Sequence, residues 1–558
     1  MRPTRPADPA VAAAYRAAGH WRDRTIGEHL AWCVREFGDR VAFVDGDRRV
    51  TFAELDAEIG RMAGFLVQRG VRPGDVVSFQ LPNVLASVVT FYATIRIGAV
   101  TNPIVPIYRG HELRHILGQA RTKVAVVPAS FRGFDYAGLY RRLRPELPDL
   151  DTVVLVGAAD AGEGEWLWDE IGAAAGSAGG EPPAPALAPA DPDDVALLLY
   201  TSGTTAAPKG ALHTHNTLLF QAHLIADWAR LDERDTALNV SPVTHATGIL
   251  NGLLMPMVTG ATVVLQAIWD AREALALIER ERVTYMMIAT PFLRGLVAEL
   301  DASGADVSSL RRIGCGGADI PVALMREATE RLCPGVIRVY GATEGFTVSS
   351  STRWDPPAKR VATEGRWLPS YEGLIVDESG RPLPAGAVGE LHWSGAGMFQ
   401  GFLDPSLNDD AFTPEGRYRS GDLGRLDEDG YLTITGRLKD VINRSGEKIS
   451  AYEVEQLLAE HPAVREVAVV AQPDPVTGER ACAWVALQPG ASLTLDEIAD
   501  FLITREVAKQ KIPEDLAIVD DLPKNAAGKV QKTILRERSR ERVADRGQPA
   551  ETTTPASR

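Results

Sequence analysis

The chain has 558 residues, room for three or four domains, with 45 % apolar and 24 % charged residues, which excludes fibrous and wholly disordered classes. Its 74 acidic against 59 basic residues leave a net charge of −15, and without a basic stripe this excludes sequence-independent nucleic-acid binding. Cys33, Cys315, Cys333 and Cys482 lie far apart, with no CxxC pair, so neither a disulfide framework nor a structural zinc site is expected, and a cytoplasmic setting is.

Met1–Trp21 lacks a continuous apolar core, so no signal peptide is expected. Thr51-Phe-Ala-Glu54 predicts a capping box, followed by Leu55, Ile59, Met62 and Leu66 at helical spacing and a stop at Gly70. Apolar runs at Val153–Val156, Val195–Tyr200, Thr262–Leu265, Tyr285–Ile288 and Val336–Tyr340 predict buried strands. Alternating with helices, they imply an α/β fold with mixed or parallel sheets. Gly176–Asp194, rich in Ala, Pro, Gly and acid, reads as a surface loop. Ile249–Ile268 is interrupted by Asn251, Gly252, Pro256, Gly260 and Gln266, and so reads as a buried helix, a turn and a strand, not a membrane span.

Around Gly436 the pattern changes. Capping boxes at Ser450–Glu453 and Thr494–Glu497, with strand-like runs at Val467–Ala471 and Ala481–Leu487, predict a small α+β domain. The expected division is a large domain over 1–436, a small one over 437–540, and a disordered polar tail over 541–558.

The densest chemistry is Tyr200-Thr-Ser-Gly-Thr-Thr-Ala-Ala-Pro-Lys-Gly210, directly after a buried run. Hydroxyls and backbone amides beyond a strand make an anion cradle, to which Lys209 adds a point charge. Pro208 before Lys209 and Gly210 after it separate the segment from a Walker loop. Read without context, the segment is equally a Thr/Ser-rich surface turn. Only ten of the 59 basic residues are lysine, which favours a specific use for a lysine here.

Tyr200–Gly210 resembles the phosphate loop of the adenylate-forming superfamily: acyl-CoA synthetases, carrier-protein adenylation domains and beetle luciferases. Five further segments resemble that superfamily's motifs, in order: Gly316-Gly-Ala318, Tyr340-Gly-Ala-Thr-Glu-Gly345, Tyr418-Arg-Ser-Gly-Asp422, Gly436-Arg-Leu-Lys-Asp440 with Asn443–Lys448 beyond it, and Pro523–Lys529. The similarity runs from about Glu28 to Glu537. It implies a mobile C-terminal domain and two half-reactions: ATP and a carboxylic acid give an acyl-adenylate and pyrophosphate, then a thiol, first of all that of CoA, attacks the adenylate.

By that resemblance Thr201, Ser202, Gly203, Thr204, Thr205 and Lys209 hold the outer phosphates, and Gly317, Ala318, Tyr340, Gly341 and Ala342 line the adenine. Thr343 donates to the α-phosphate, and Glu344 holds Mg²⁺ through oxygen, as a hard cation prefers. Asp422 accepts the ribose hydroxyls and Arg437 holds ribose or phosphate. Lys529 bridges the acid's carboxylate and the α-phosphate, where charge builds. Lys439 is the hinge, and Arg444, Ser445, Gly446 and Lys448 line the thiol tunnel. His245, in Ser241–Gly248, lines or gates the acyl pocket. Lys524 and Lys532 read as surface charges, and Gly401 and Gly430 as turn glycines. Two positions depart from the usual pattern: Ala206-Ala207, where glycine follows the paired threonines in many relatives, and Lys439, where many CoA ligases carry Asp.

Ala246, Thr247, Gly248, Gly252 and Gly316 are small and uncharged, so the expected substrate is an apolar acid: medium-chain, alicyclic or aryl. His245–Gly252 resembles medium-chain and cyclohexane-carboxylate ligases, whereas Asn443–Lys448 and Ala508–Pro513 resemble aryl-acid relatives. A carrier protein or an amine is the alternative acceptor, a non-catalytic nucleotide-binding relative the alternative class, and a homodimer a possible assembly.

Overall fold

The computed structural model describes residues 1–174, 190–201, 208–318, 320–445, 447–505, 507–525 and 528–547, without the side chains of 172–174 and 544–547. The expected loop at 176–194 therefore lies mostly outside the described residues. The chain forms two compact units: 1–373 with 392–419 and 430–432, and 374–391 with 420–429 and 433–558. The expected boundary at 436 falls inside the strand Leu432–Arg437.

The larger unit is mixed α/β. Its nine-stranded sheet has a parallel centre, Val336–Ala342, Arg312–Gly316, Tyr285–Ala289, Thr236–Asn239, Thr262–Leu265 and Val41–Asp45, with antiparallel strands at both edges. A seven-stranded sheet is parallel except at Lys209–Thr214, which runs antiparallel to Val195–Thr201. The run Tyr285–Ile288 is buried at every residue, which is why it reads as an unbroken apolar run. The helix Leu85–Arg96 is buried all round, and Thr90 and Thr94 satisfy their hydroxyls on the carbonyls four residues back, at 2.7 and 2.8 Å.

The Thr51–Glu54 box forms as expected and starts the helix Phe52–Gln68. Ile249–Leu254 is wound as a π-helix, with the Met255 N–H bonded to the Leu250 carbonyl at 2.8 Å. The Asn251 amide donates to the Thr247 carbonyl at 2.8 Å, supplying from a side chain what an α-turn takes from the backbone. Among the described residues no helix is long and apolar enough to cross a membrane, no cluster of three metal-ligating side chains forms, and all four cysteines are free and buried.

The smaller unit carries a five-stranded sheet of Glu447–Ser450, Val441–Arg444, Gly478–Leu487, Val464–Asp474 and Asp515–Val519. Ile442, Ile449, Val454, Leu458, Val469 and Ile498 fill its core. The Thr494 box closes, whereas at Ser450 only half does. The Ser450 hydroxyl accepts the Glu453 N–H at 3.3 Å, while the Glu453 carboxylate is held by the Lys511 ammonium at 2.7 Å. The last helix, Lys532–Gly547, carries regular structure past residue 541, where the tail was expected to begin. Leu535 and Ser539 tie it down: Leu535 is buried in an apolar cluster, and the Ser539 hydroxyl accepts the Trp484 indole N–H at 2.9 Å.

Candidate active site

In the larger unit the anion-loop segment is bracketed by an antiparallel pair, with Thr201 opposite Lys209. A strand follows the segment where a Walker motif has a helix. Lys209 lies 5.6 Å from the centroid of Phe402, and the Pro208 carbonyl is 2.9 Å from a His115 ring nitrogen. Ser202, Gly203, Thr204 and Thr205 lie outside the described residues.

Gly317 and Ala318 follow the C-terminal end of the strand Arg312–Gly316. Gly317 takes φ +78°, and the Ala318 carbonyl accepts from Thr290 at 3.5 Å. Tyr340, Gly341 and Ala342 end the neighbouring strand. A Cβ at Gly341 would lie 1.6 Å from the Phe346 carbonyl oxygen, so only glycine fits there. Thr343, Glu344 and Gly345 form the turn into Phe346–Ser350. Thr343 is half-buried and Glu344 buried.

Three successive carbonyls of this turn are held from elsewhere. His213 Nε2 is 2.9 Å from Thr343 O, the Phe399 N–H donates to Glu344 O at 2.7 Å, and Gly345 O accepts from Gln221 at 2.7 Å and from the Tyr371 hydroxyl at 3.0 Å. Sequence reading missed His213, Gln221 and Tyr371, because contacts so far apart in the chain leave no local pattern.

His245 is half-buried, and its Nδ1 accepts the Thr247 N–H at 3.4 Å, capping the short helix Ala246–Gly248. The small residues near it have a packing reason. A Cβ would lie 2.0 Å from Pro242 O at Gly248, 2.5 Å from the Asn239 amide at Gly252, and 2.5 Å from Val339 O at Gly316. Their smallness is therefore no measure of pocket size, and that part of the substrate argument falls away.

In the smaller unit Asp422 is buried, and its carboxylate lies 3.0 Å from Arg437 Nε. Asp422 N–H donates at 3.1 Å to the Ser420 hydroxyl, which itself donates to Leu391 O at 2.7 Å. Lys439 sits in a single 3-10 turn, Leu438–Asp440. Arg536 from the last helix bonds Asp440 and reaches the Lys439 carbonyl at 3.2 Å. Lys532, expected as a surface charge, instead lies 2.7 Å from Glu455 and 3.9 Å from Asp440.

Lys529 ends a hairpin organised by Asn525. The Lys529 N–H donates to Asn525 Oδ1 at 2.9 Å, the Asn525 N–H to Lys529 O at 2.8 Å, and Gly528 takes φ +76°. Burial, then the nearby Arg437 guanidinium, lowers the Lys529 ammonium to about 7, against the pull of Asp422. Arg444 is held by Glu514 through two bonds of 2.8 and 2.9 Å, and Lys448 pairs with Glu378. Ser445 takes φ +51°, and Gly446 lies outside the described residues. Gly401 and Gly430 take φ +96° and +79°, as turn glycines do.

Residues 30–403 match the family described as AMP-binding enzyme, and residues 453–529 match the AMP-binding enzyme C-terminal domain. The chain belongs to the AMP-binding enzyme family. It is 36 % identical over 527 residues to the medium-chain fatty-acid–CoA ligase of Escherichia coli, covering 94 % of this chain and 92 % of that one. It is 36 % identical over 539 residues to the salicyl-AMP ligase / salicyl-S-ArCP synthetase of Mycobacterium tuberculosis, covering 95 % and 93 %. Among solved structures, the anthranilate CoA ligase AuaEII in complex with anthranoyl-AMP superposes with a TM-score of 0.83 at 26 % identity, over 94 % of this chain and 98 % of that one.

Proposed function

We propose that this enzyme activates an apolar carboxylic acid with ATP to an acyl-adenylate and then transfers the acyl group to the thiol of CoA. What carries the reading is the lysine at 529, the basic group expected to act in the first half-reaction. It ends a built hairpin, beside the Asp422–Arg437 pair, in surroundings that loosen its proton.

Asp422 is the group for the ribose hydroxyls, and Arg437 orients it while offering its remaining N–H groups to ribose or phosphate. Thr343 donates to the α-phosphate. Lys529, as an ammonium, holds the acid's carboxylate against that phosphate and offsets the charge that develops there. Glu344 fits Mg²⁺: it is a buried carboxylate, and with no cluster of three metal-ligating side chains among the described residues the donor set is that of an ion that keeps phosphate and water oxygens. When bound, the ion supplies charge neutralisation for the phosphates. Ser202–Thr205 and Lys209 take the outer phosphates, Tyr340 through Ala342 with Gly317 and Ala318 take adenine, and His245 faces the acyl chain. Lys439 is the hinge for the second half-reaction, in which Arg444–Lys448 guide the thiol. The large domain over 1–436 and the small one over 437–540 are the moving parts.

Two similarities favour different acids, one to a medium-chain ligase and one to aryl-acid enzymes. The second also supports a carrier-protein thiol as an alternative acceptor. Acid-dependent exchange of labelled pyrophosphate into ATP, run with octanoate, cyclohexane carboxylate, benzoate and salicylate, tests the reading. Exchange with octanoate, cyclohexane carboxylate or benzoate is expected, and exchange with salicylate alone, or with amino acids alone when these are added to the panel, would contradict it.

A further inference from the structure

The turn that presents Thr343 and Glu344 is strained. Phe346, the residue that closes it, takes φ +53°, a conformation that bulky side chains adopt only when their surroundings impose it. The imposing groups are the partners of the three carbonyls. The Thr343 carbonyl can only accept, so the hydrogen of the 2.9 Å contact is on His213 Nε2. His213 is fully buried, and burial lowers it to about 4, so it stands as the neutral Nε2–H tautomer at physiological pH. Its Nδ1 is buried without a partner among the described residues, as expected of a ring placed for one bond.

The same ring meets Phe346 edge-on, with centroids 5.0 Å apart and planes at 82°, and lies 6.4 Å from Phe399. One imidazole thus touches both ends of the turn. On the far side Gln221 donates to Gly345 O and contacts the Tyr371 hydroxyl, which donates to the same oxygen. Gly345 has no room for a side chain, since a Cβ would lie 2.3 Å from the Trp393 ring.

We infer that His213, backed by Gln221 and Tyr371, is a positioning residue that holds the strained Thr343–Phe346 turn in the shape that adenylation uses. The inference deepens the proposed adenylation reading and rests on it for its kinetic part. Replacing His213 by a donor-free ring should let the turn relax without touching substrate.

His213→Phe, His213→Gln and Tyr371→Phe in the full-length enzyme test this by two readouts. Hydrogen exchange of peptides covering 340–350 should speed up at least tenfold in His213→Phe at a temperature where the melting curve shows the protein folded. Pyrophosphate exchange should lose ten- to a hundredfold in kcat, with the KM for the acid within about threefold, and His213→Gln, which keeps an N–H donor, should recover part of the loss. If His213→Phe does not fold, Tyr371→Phe carries the same expectation at smaller amplitude. Unchanged exchange in 340–350, or a loss of kcat matched by the loss of folded protein, overturns the inference. If the wild-type enzyme exchanges no pyrophosphate with any acid, the adenylation reading falls, and the hydrogen exchange still decides the role of His213.

Discussion

Arg437 Nε lies 3.0 Å from the buried carboxylate of Asp422, so the acid proposed to hold ribose is already charge-paired without a nucleotide. The pairing aims the Asp422 carboxylate, at the cost of one lone pair. Removing Asp422 should raise the KM for ATP ten- to a hundredfold, since hydrogen bonds to charged groups contribute about 1.5–3 kcal/mol. Arg437→Ala should cost about 1–3 kcal/mol of stability by removing one ionic partner from a buried carboxylate. A double-mutant cycle on melting temperature and KM checks both; strictly additive effects would deny the coupling.

Lys529 should make adenylation fall as pH rises. Its ammonium is the form the proposed role uses, and in the free enzyme it is lowered to about 7, so kcat/KM for the acid should decline above neutrality. Lys529→Arg, which stays charged, should flatten that limb even if the rate is lower. Between about 7 and the ordinary lysine value the unfolded chain holds a proton that the folded site has released. Lys529 therefore costs stability below pH 7 and progressively less as pH rises. Lys529→Met should raise the melting temperature at pH 7 by more than at pH 9. Lys529→Ala should abolish pyrophosphate exchange while sparing thioester formation from supplied acyl-adenylate, and equal loss of both would contradict a two-step division of labour.

Acid should destabilise the larger unit through its histidines. Burial lowers His29, His213 and His215 to about 4, and His223, next to Arg22 and His29, to about 3. The unfolded chain takes up these protons from about pH 6.5 downward and the folded one only near 4, so stability is lost across that window. At pH 5 each fully buried histidine accounts for about 2 kcal/mol. Melting temperatures at pH 7 and pH 5 should differ by less in His29→Leu than in the wild type.

Lys532 should matter to the stability of the smaller unit. It lies 2.7 Å from Glu455, which burial raises despite that lysine, and Glu455 also accepts the Val469 N–H at 2.5 Å. Lys532→Ala leaves Glu455 and Asp440 short of a cation and should cost about 2 kcal/mol. The double variant with Glu455→Gln should regain part of it. A lysine behaving as a solvated surface charge would show no loss in thermal unfolding.

Most of the scaffold was legible because it is local. The runs Val195–Tyr200, Tyr285–Ile288 and Val336–Tyr340 are strands close to their read limits, and the Thr51 and Thr494 boxes cap helices as their spacing requires. What was not legible depends on distant partners. The π-turn at Ile249–Leu254 follows from Asn251 bonding Thr247 and Tyr285. The helix Lys532–Gly547 runs past residue 541, where a polar tail was expected to begin, and Leu535 and Ser539 bind it to Trp484 and its neighbours. The hold of His213 on Thr343 joins residues 130 positions apart. Glycines 248, 252 and 316 looked like room for a substrate and instead press on the Pro242 carbonyl, the Asn239 side chain and the Val339 carbonyl.

The most direct test incubates the full-length enzyme with MgATP and pooled medium-chain, alicyclic and aryl acids, with and without CoA, and reads the products by mass. Acid activation followed by CoA transfer predicts an acyl-AMP ion that gives way to the matching acyl-CoA once CoA is added, with release of AMP. ATP bound but never converted with any acid, or an acyl-AMP that CoA leaves unchanged, would contradict it.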